Sequence, residues 1–128
     1  MALDPPNAPL VLIVDDSDKN RKLARDVLRA GGLRTIEAAD GREALALAAE
    51  SLPDVILLDL RLPDMDGGEV ARALRDGART GRIPVVALSA LRYGGDPAAS
   101  SAEGFAGFLE KPIDVRAFPE QVRSYCCT

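Results

Sequence analysis

Polar side chains of a particular kind follow the apolar segments of this 128-residue chain. Asp15 and Asp16 come directly after one apolar run, and Asp59, Ser89 and Lys111 end three others. Taken singly, each has an ordinary explanation: the aspartates cap helices or shape turns, the serine is a loop hydroxyl and the lysine is a solvated charge. Taken together, they would place three carboxylates, one hydroxyl and one ammonium at the strand ends, which in open α/β sheets is where sites form.

The chemistry of such a site follows from its charges. Three clustered carboxylates repel one another, so at least one takes up a proton unless a cation neutralises them. The chain has no histidine, and its two cysteines, Cys126 and Cys127, lie at the C-terminus, so the available ligands are oxygens. Oxygen ligands favour Mg²⁺ over zinc, with Mn²⁺ as an alternative. An aspartate beside Mg²⁺ is suited to accept a phosphoryl group as an acyl phosphate, with Lys111 and Ser89 contacting phosphoryl oxygens.

Hydrophobic patterning predicts the elements that must position these groups. Apolar segments predict five strands, over 10–14, 33–39, 54–60, 83–90 and 105–112. Helices are predicted within 17–32, with Ser17 or Asp18 as the cap and Gly31-Gly32 at the end, and over 41–52, 68–77, 96–104 and 114–125. Strands that alternate with helices over short connections indicate a parallel sheet with helices on both faces.

The apolar positions of the first two long helices follow helical spacing. They are Leu23, Val27, Leu28 and Ala30 in the first helix and Ala44, Leu45, Ala48 and Ala49 in the second.

Two later segments depart from good helix patterning. The predicted fourth helix is preceded by Gly94 and Gly95 and has Pro97 in its first turn, and Pro119 falls within the predicted last helix, where a proline kinks a helix or delays its start.

Composition and length narrow the class of protein. The length suggests one domain. Sixteen basic against twenty acidic residues give a net charge of −4, which disfavours a nucleic-acid binder. No apolar run approaches the roughly 18 residues that a membrane span needs, so membrane insertion is not expected. The first nine residues contain three prolines and no Lys or Arg, unlike a signal peptide. We expect a cytoplasmic protein with a disordered leader over 1–8, one domain over 9–125 and a tail over 126–128.

Four motifs, VLIVDD, LLDLRLPDMDG, VVALSA and LEKP, together resemble those of the receiver domain of two-component response regulators. The resemblance covers roughly 9–125, in the family's order and spacing. It implies an α/β fold, a single doubly wound (βα)5 flavodoxin-like domain whose parallel sheet has strand order 2-1-3-4-5, as in CheY. It also implies that Asp59 is the phosphoacceptor, and that Asp15, Asp16, Asp59 and the backbone carbonyl of Arg61 hold Mg²⁺.

The resemblance assigns the signalling residues as well. Ser89 stands in the place of the switch hydroxyl, Lys111 contacts the phosphoryl group and is followed by Pro112, and Phe108 matches a rotating switch aromatic. Phosphorylation adds about 1.5–2 negative charges. Ser89 would swing toward them and Phe108 would turn inward, which changes the surface of the fourth helix, fifth strand and last helix. Alternatively, Phe108 is an ordinary half-buried strand residue.

The implied partners are proteins. A sensor histidine kinase or a histidine phosphotransfer protein would donate the phosphoryl group, and a downstream protein would read the switched surface. With no residues left for an output domain, the expected protein is a stand-alone receiver with slow autodephosphorylation rather than a turnover enzyme. Its pattern, including Asn20 on the first helix, is similar to single-domain regulators such as DivK.

Two other classes remain open. A phosphorylation-independent interaction module would bind its partner fully as the Asp59→Asn variant. A Mg²⁺-dependent aspartyl-phosphate hydrolase of the haloacid-dehalogenase type would turn over a phosphate ester. Those hydrolases place an acid–base aspartate two residues after the nucleophile, where this chain has Arg61, and Asp59 lies on the third strand instead of the first.

Overall fold

The structure describes five parallel strands, and a helix follows the first, second, third and fifth of them. The structure is a computed structural model that describes residues 8–60, 62–65, 67–89, 105–110 and 113–126. Its elements are β1 (Leu10–Val14), α1 (Asp18–Ala30), β2 (Arg34–Ala38), α2 (Gly41–Ser51), β3 (Val55–Asp59), α3 (Gly67–Asp76), β4 (Val85–Ser89), β5 (Gly107–Glu110) and a C-terminal helix (Phe118–Cys126). The described strands form one sheet in the order β2-β1-β3-β4-β5, and every neighbouring pair is parallel. The predicted doubly wound, flavodoxin-like architecture is therefore confirmed.

The central strands are buried on both faces, which explains why their sequences are continuously apolar instead of alternating. All five residues of β3 are buried. On one face of the sheet, residues such as Leu12 and Ile56 pack against α2 and α3. On the other face, residues such as Ile13 and Leu57 pack against α1 and the C-terminal helix. Two hydrophobic layers thus hold the sheet and fix the level at which its strands end.

Helix α1 begins after Ser17, whose hydroxyl accepts a 3.3 Å hydrogen bond from the Asn20 N–H, so Ser17 is the cap and Asp18 is the first helical residue. The predicted apolar face is partly wrong. Leu28 is fully buried, but Leu23 is 45% exposed and Ala30 is exposed too. The reason is that a neighbouring stripe of α1 faces the sheet. This stripe consists of Arg21, Ala24 and Leu28 instead of the predicted stripe that includes Leu23.

Helix α2 packs on the sheet through small side chains. Ala44 and Ala48 are fully buried, Leu45 is half-buried and Ala49 is exposed, so the predicted face is correct except at its edge. The helix ends one residue before the predicted end. Leu52 lies beyond it in the left-handed region at φ 48°, where its N–H donates to the Ala48 carbonyl.

Pro119 delays the start of the last helix instead of kinking it. The helix was predicted from residue 114 but begins at Phe118, so Pro119 lies in its first turn, where a missing N–H costs nothing. A Cβ atom added at Gly31 would lie 2.6 Å from the Pro119 Cβ. The Arg123 guanidinium also donates to the Gly31 carbonyl. The C-terminal helix is therefore joined to the end of α1.

The predicted fourth helix, over 96–104, lies outside the described residues, as do Gly94, Gly95 and Pro112. The described parts of the leader and tail are Ala8 and Cys126. Within the part of the chain that the structure describes, no helix is both long and apolar enough to cross a bilayer.

Candidate functional site

Strands β1 and β3 are neighbours at the switch point of the sheet. The chain adds β2 on one side of β1 and then returns to add β3, β4 and β5 on the other side. Strand β1 pairs with β2 on one side and with β3 on the other. The register pairs Val14 with Leu58, so the next residues, Asp15 and Asp59, lie side by side where β1 and β3 end. Crevices for ligands form at this position in doubly wound sheets.

Three carboxylates meet there. Asp15, Asp16 and Asp59 each offer one oxygen, and these oxygens all lie within 4.8 Å of one another. Asp15 and Asp59 are 2% and 8% exposed, whereas Asp16 is exposed to solvent. The arrangement has a buried base and an open side, as a site that admits a small ligand requires. Three oxygen donors at this spacing fit a hard cation such as Mg²⁺, which prefers carboxylates together with water or phosphate oxygens.

Asp15 is fixed by its own backbone and by its neighbours. Its N–H donates to the Ala38 carbonyl over 3.1 Å, and this continues the ladder between β1 and β2. Its Oδ1 accepts a 2.9 Å hydrogen bond from the Ser17 N–H. The turn between β1 and α1 therefore holds this carboxylate in one orientation.

Arg21 also supports the β1–α1 turn, and the sequence interpretation did not include it. Its Nη1 donates a 2.7 Å hydrogen bond to the Asp15 carbonyl, its Nε contacts Glu37 at 3.3 Å, and its Nη2 pairs with Asp18. The side chain is 15% exposed. The sequence does carry a signal for it, since Arg21 shares the i, i+3, i+7 stripe of Ala24 and Leu28, but a charged residue on a helix is ordinarily expected to face solvent.

The structure brings together three of the sequence-predicted site residues. For Ser89 and Phe108 it describes the backbone: Ser89 is the last residue of β4, and Phe108 lies in β5 opposite Ala87. The Asp59 and Leu88 positions are paired, so Ser89 follows at the same edge of the sheet as Asp59. Arg61 and Lys111 lie outside the described residues.

Comparisons with known proteins agree with this geometry. The response regulator receiver domain model matches residues 11–123. The polar-differentiation response regulator DivK of Brucella anthropi is 42% identical over 115 residues, which cover 90% of this chain and 94% of the relative. The chain is thus weakly DivK-like within its family.

Solved structures give the same result. A chemotaxis response regulator of Vibrio cholerae superposes with a TM-score of 0.84 at 31% identity, over 93% of this chain and 99% of that one. The receiver domain of a sensor histidine kinase from Pseudomonas aeruginosa superposes with a TM-score of 0.86 at 29% identity, over 94% of this chain and 99% of that one. That structure is described with a magnesium ion coordinated in its active-site cleft.

Receiver domains are signalling modules of two-component systems rather than turnover enzymes, and they bind Mg²⁺ at an acidic pocket. They interact with histidine kinases or phosphotransfer proteins and with downstream targets. The sheet order, the acidic cluster at the β1 and β3 ends and the match over residues 11–123 all lead to one conclusion. This chain belongs to the response regulator receiver domain family and is CheY-like in fold.

Proposed function

We propose that this chain accepts a phosphoryl group on Asp59 from a phosphohistidine protein and thereby changes its protein-binding surface. The observation that carries the proposal is the cluster in which the Asp15, Asp16 and Asp59 oxygens lie within 4.8 Å of one another. A carboxylate at the end of a fully buried strand has little freedom to move. Asp59 is therefore held in place before the donor arrives, which lowers the entropic cost of the reaction.

The proposed transfer moves one phosphoryl group between two side chains. An Asp59 carboxylate oxygen attacks the phosphorus of the donor's phosphohistidine, a P–O bond forms and the P–N bond breaks. The electron pair of the broken bond stays on the imidazole, which takes its proton from solvent. The product on this chain is an acyl phosphate. These 128 residues contain no histidine, so the phosphohistidine of the donor is not one of them.

The proposed Mg²⁺ ligands are the three clustered carboxylates together with the Arg61 backbone carbonyl, and Mn²⁺ would suit the same oxygen donors. When bound, the ion neutralises negative charge on the phosphoryl oxygens. Asp16, which is exposed, lies on the open side of the cluster, and the buried Asp15 lies at its base. The Ser17 N–H and the Arg21 guanidinium hold the segment that carries both residues.

Three further residues have proposed roles in the response. The Lys111 ammonium contacts one phosphoryl oxygen, and the Ser89 hydroxyl donates a hydrogen bond to another. As Ser89 moves, Phe108 turns inward and alters the surface around β5. The position of Ser89 at the end of β4, at the same sheet edge as Asp59, supports its role. A sensor histidine kinase or phosphotransfer protein is the proposed donor, a downstream protein is the proposed reader, and the proposed location is the cytoplasm.

The test is labelling with a phosphorylated histidine protein or with acetyl phosphate in the presence of Mg²⁺. Wild-type protein should become labelled, and a chelator should stop the labelling. Asp59→Asn should not label. The matched control is Asp54→Asn, which makes the same change just before β3, where the Asp54 Oδ2 accepts a 2.8 Å hydrogen bond from the Leu10 N–H. Undiminished labelling of Asp59→Asn, or equal loss in both variants, would contradict the proposal.

A further inference from the structure

The loop that follows Asp59 is fastened to the N-terminus of α2 by a single carboxylate. We propose that this carboxylate, on Asp64, is a positioning residue for the metal and phosphoryl site. The inference rests on the proposed function, because it concerns how well the chain holds Mg²⁺. Asp64 itself is not a member of the acidic cluster.

The fastening consists of two hydrogen bonds to one side chain. The Gly41 N–H donates to the Asp64 Oδ1 over 2.8 Å, and the Arg42 N–H donates to the Oδ2 over 3.1 Å. These N–H groups belong to the first turn of α2 and have no partner within the helix. The partial positive charge of a helix N-terminus also favours a carboxylate there. Together these bonds hold the pKa of Asp64 below its ordinary value, with the Gly41 bond as the largest cause.

Helix α2 does not need Asp64 in order to begin. Asp40 caps the helix by accepting a 2.8 Å hydrogen bond from the Glu43 N–H, and the Glu43 carboxylate accepts one from the Ala39 N–H, also at 2.8 Å. The start of the helix is thus bonded by two of its own carboxylates, although the Glu43 bond goes to the residue before the cap instead of to the cap itself, as it would in a capping box. The contribution of Asp64 is therefore tertiary, since it ties a distant loop to a helix that is already capped.

Packing contacts hold the same loop beside the Asp64 bonds. A Cβ atom on Gly41 would lie 2.8 Å from the Met65 Sδ, so only a glycine lets Met65 approach the first turn of α2 this closely. At the base of the loop, the Gly67 N–H donates to the Leu60 carbonyl over 3.3 Å. A Cβ on Gly67 would lie 2.8 Å from the Leu60 Cα and 3.3 Å from the Asp59 carbonyl oxygen. The loop is thus held at its outer end by α2 and at its base beside Asp59.

This geometry couples α2 to the site. Leu60 directly follows Asp59, and Arg61, whose carbonyl is a proposed ligand, is three residues before Asp64. Three residues span at most about 10 Å, so the anchored Asp64 is within that distance of the proposed ligand along the chain. Residues that orient metal ligands typically change metal affinity by about 10- to 100-fold when removed. By reciprocity, ligand binding at the cluster should stabilise the Asp64 bonds to α2.

The experiment compares two carboxylates on the same helix terminus. Mg²⁺ is titrated into ¹⁵N-labelled wild type, Asp64→Ala and Asp40→Ala, and the amide signals of Asp15 and Asp16 give the affinity. Both variants remove a carboxylate that accepts N–H bonds from the first turn of α2, so both should lower the urea midpoint. Only Asp64→Ala releases the loop. We expect it to weaken Mg²⁺ binding by about tenfold, whereas Asp40→Ala should stay within about twofold of wild type.

A second readout follows the bonds themselves. In wild type, Mg²⁺ should slow hydrogen exchange at the Gly41 and Arg42 amides, and Asp64→Ala should abolish this response. If Asp64→Ala does not fold, Asp64→Asn serves instead, because its amide oxygen can still accept one of the two bonds. Its Mg²⁺ binding should be weaker than that of wild type and of Asp40→Ala, but still measurable.

Equal Mg²⁺ affinities in the Asp64 and Asp40 variants would overturn the inference and leave the proposed function intact. Failure of the proposed function has a different signature, in which wild-type protein neither binds Mg²⁺ nor becomes labelled at Asp59.

Discussion

The Arg21 Nη1 donates a 2.7 Å hydrogen bond to the backbone carbonyl of Asp15, the residue at the buried base of the acidic cluster. The same guanidinium contacts Glu37 on β2, so it joins the β1–α1 turn to the edge strand. An arginine that donates to a carbonyl and pairs with two carboxylates is held in one position, so it keeps these groups together. The geometry of the site thus depends on a residue that does not itself reach the cluster.

Removal of this guanidinium should destabilise the fold. In Arg21→Met the aliphatic stem remains, but the Asp15 carbonyl and Glu37 lose a charged donor, so the free energy of unfolding should fall by about 1–3 kcal/mol. Urea unfolding measures the change. Arg25→Met is the control. Arg25 also contacts Glu37 at 3.3 Å, but its second partner is the Asp26 carboxylate instead of the Asp15 carbonyl. Equal losses in the two variants would show that the Asp15 contact contributes nothing.

Mg²⁺ should stabilise the wild-type fold through the cluster. A ligand at one hundred times its Kd adds about 2.7 kcal/mol to the free energy of unfolding. Asp16→Asn removes one carboxylate from an exposed position, so its stabilisation at the same Mg²⁺ concentration should be smaller. In a chelator this variant should be at least as stable as wild type, because one repelling charge is gone.

Urea midpoints with Mg²⁺ and with a chelator give both values for Asp16→Asn. Asp26→Asn is the control, since it neutralises a carboxylate of α1 whose side chain is 57% exposed and which is outside the cluster. A full Mg²⁺ shift in Asp16→Asn would remove this residue from the proposed ligands.

Leu52 should tolerate glycine unusually well. Among the described residues it is the non-glycine residue with positive φ, at 48°. A side chain in this left-handed region costs roughly 1 kcal/mol, which glycine avoids. Leu52 is 39% exposed, so Leu52→Gly and Leu52→Ala both lose side-chain packing, and Leu52→Gly should exceed Leu52→Ala in free energy of unfolding by about 0.5–1 kcal/mol. Leu52→Ala keeps the Cβ, and equal free energies of unfolding in the two variants would disprove this explanation.

Asp64 should contribute to stability in a pH-dependent way. The bonds from Gly41 and Arg42 lower its pKa below the ordinary 3.8, so the contribution is complete above that value and is lost as the pH falls through the folded-state pKa. Asp64→Asn has no such titration. The difference in urea midpoint between wild type and Asp64→Asn should therefore be constant from pH 7 to about 5 and should narrow as the pH falls below 3.8. A difference that widens toward acid would contradict the assignment.

Local patterning was sufficient to predict the strands and the carboxylates at their ends. Each buried strand is an unbroken apolar run, and the first polar residue after it marks where the chain leaves the sheet. Since parallel strands present their carboxyl ends at one edge, the meeting of Asp15, Asp16 and Asp59 could be anticipated without coordinates. Pro119 was also informative, because a fixed φ and a missing N–H restrict it to the start of a helix.

Other features depended on tertiary contacts. A helical pattern does not say which of two adjacent stripes meets the sheet, so Leu23 was assigned to an apolar face while Arg21 in fact lies inward. The bond between Gly41 and Asp64 joins residues 23 apart, and that between Arg123 and Gly31 joins residues 92 apart. An aspartate in a loop looks the same in sequence whether it faces water or a helix terminus. Only the packing of α2 against the loop after Asp59 decides which N–H groups Asp64 meets.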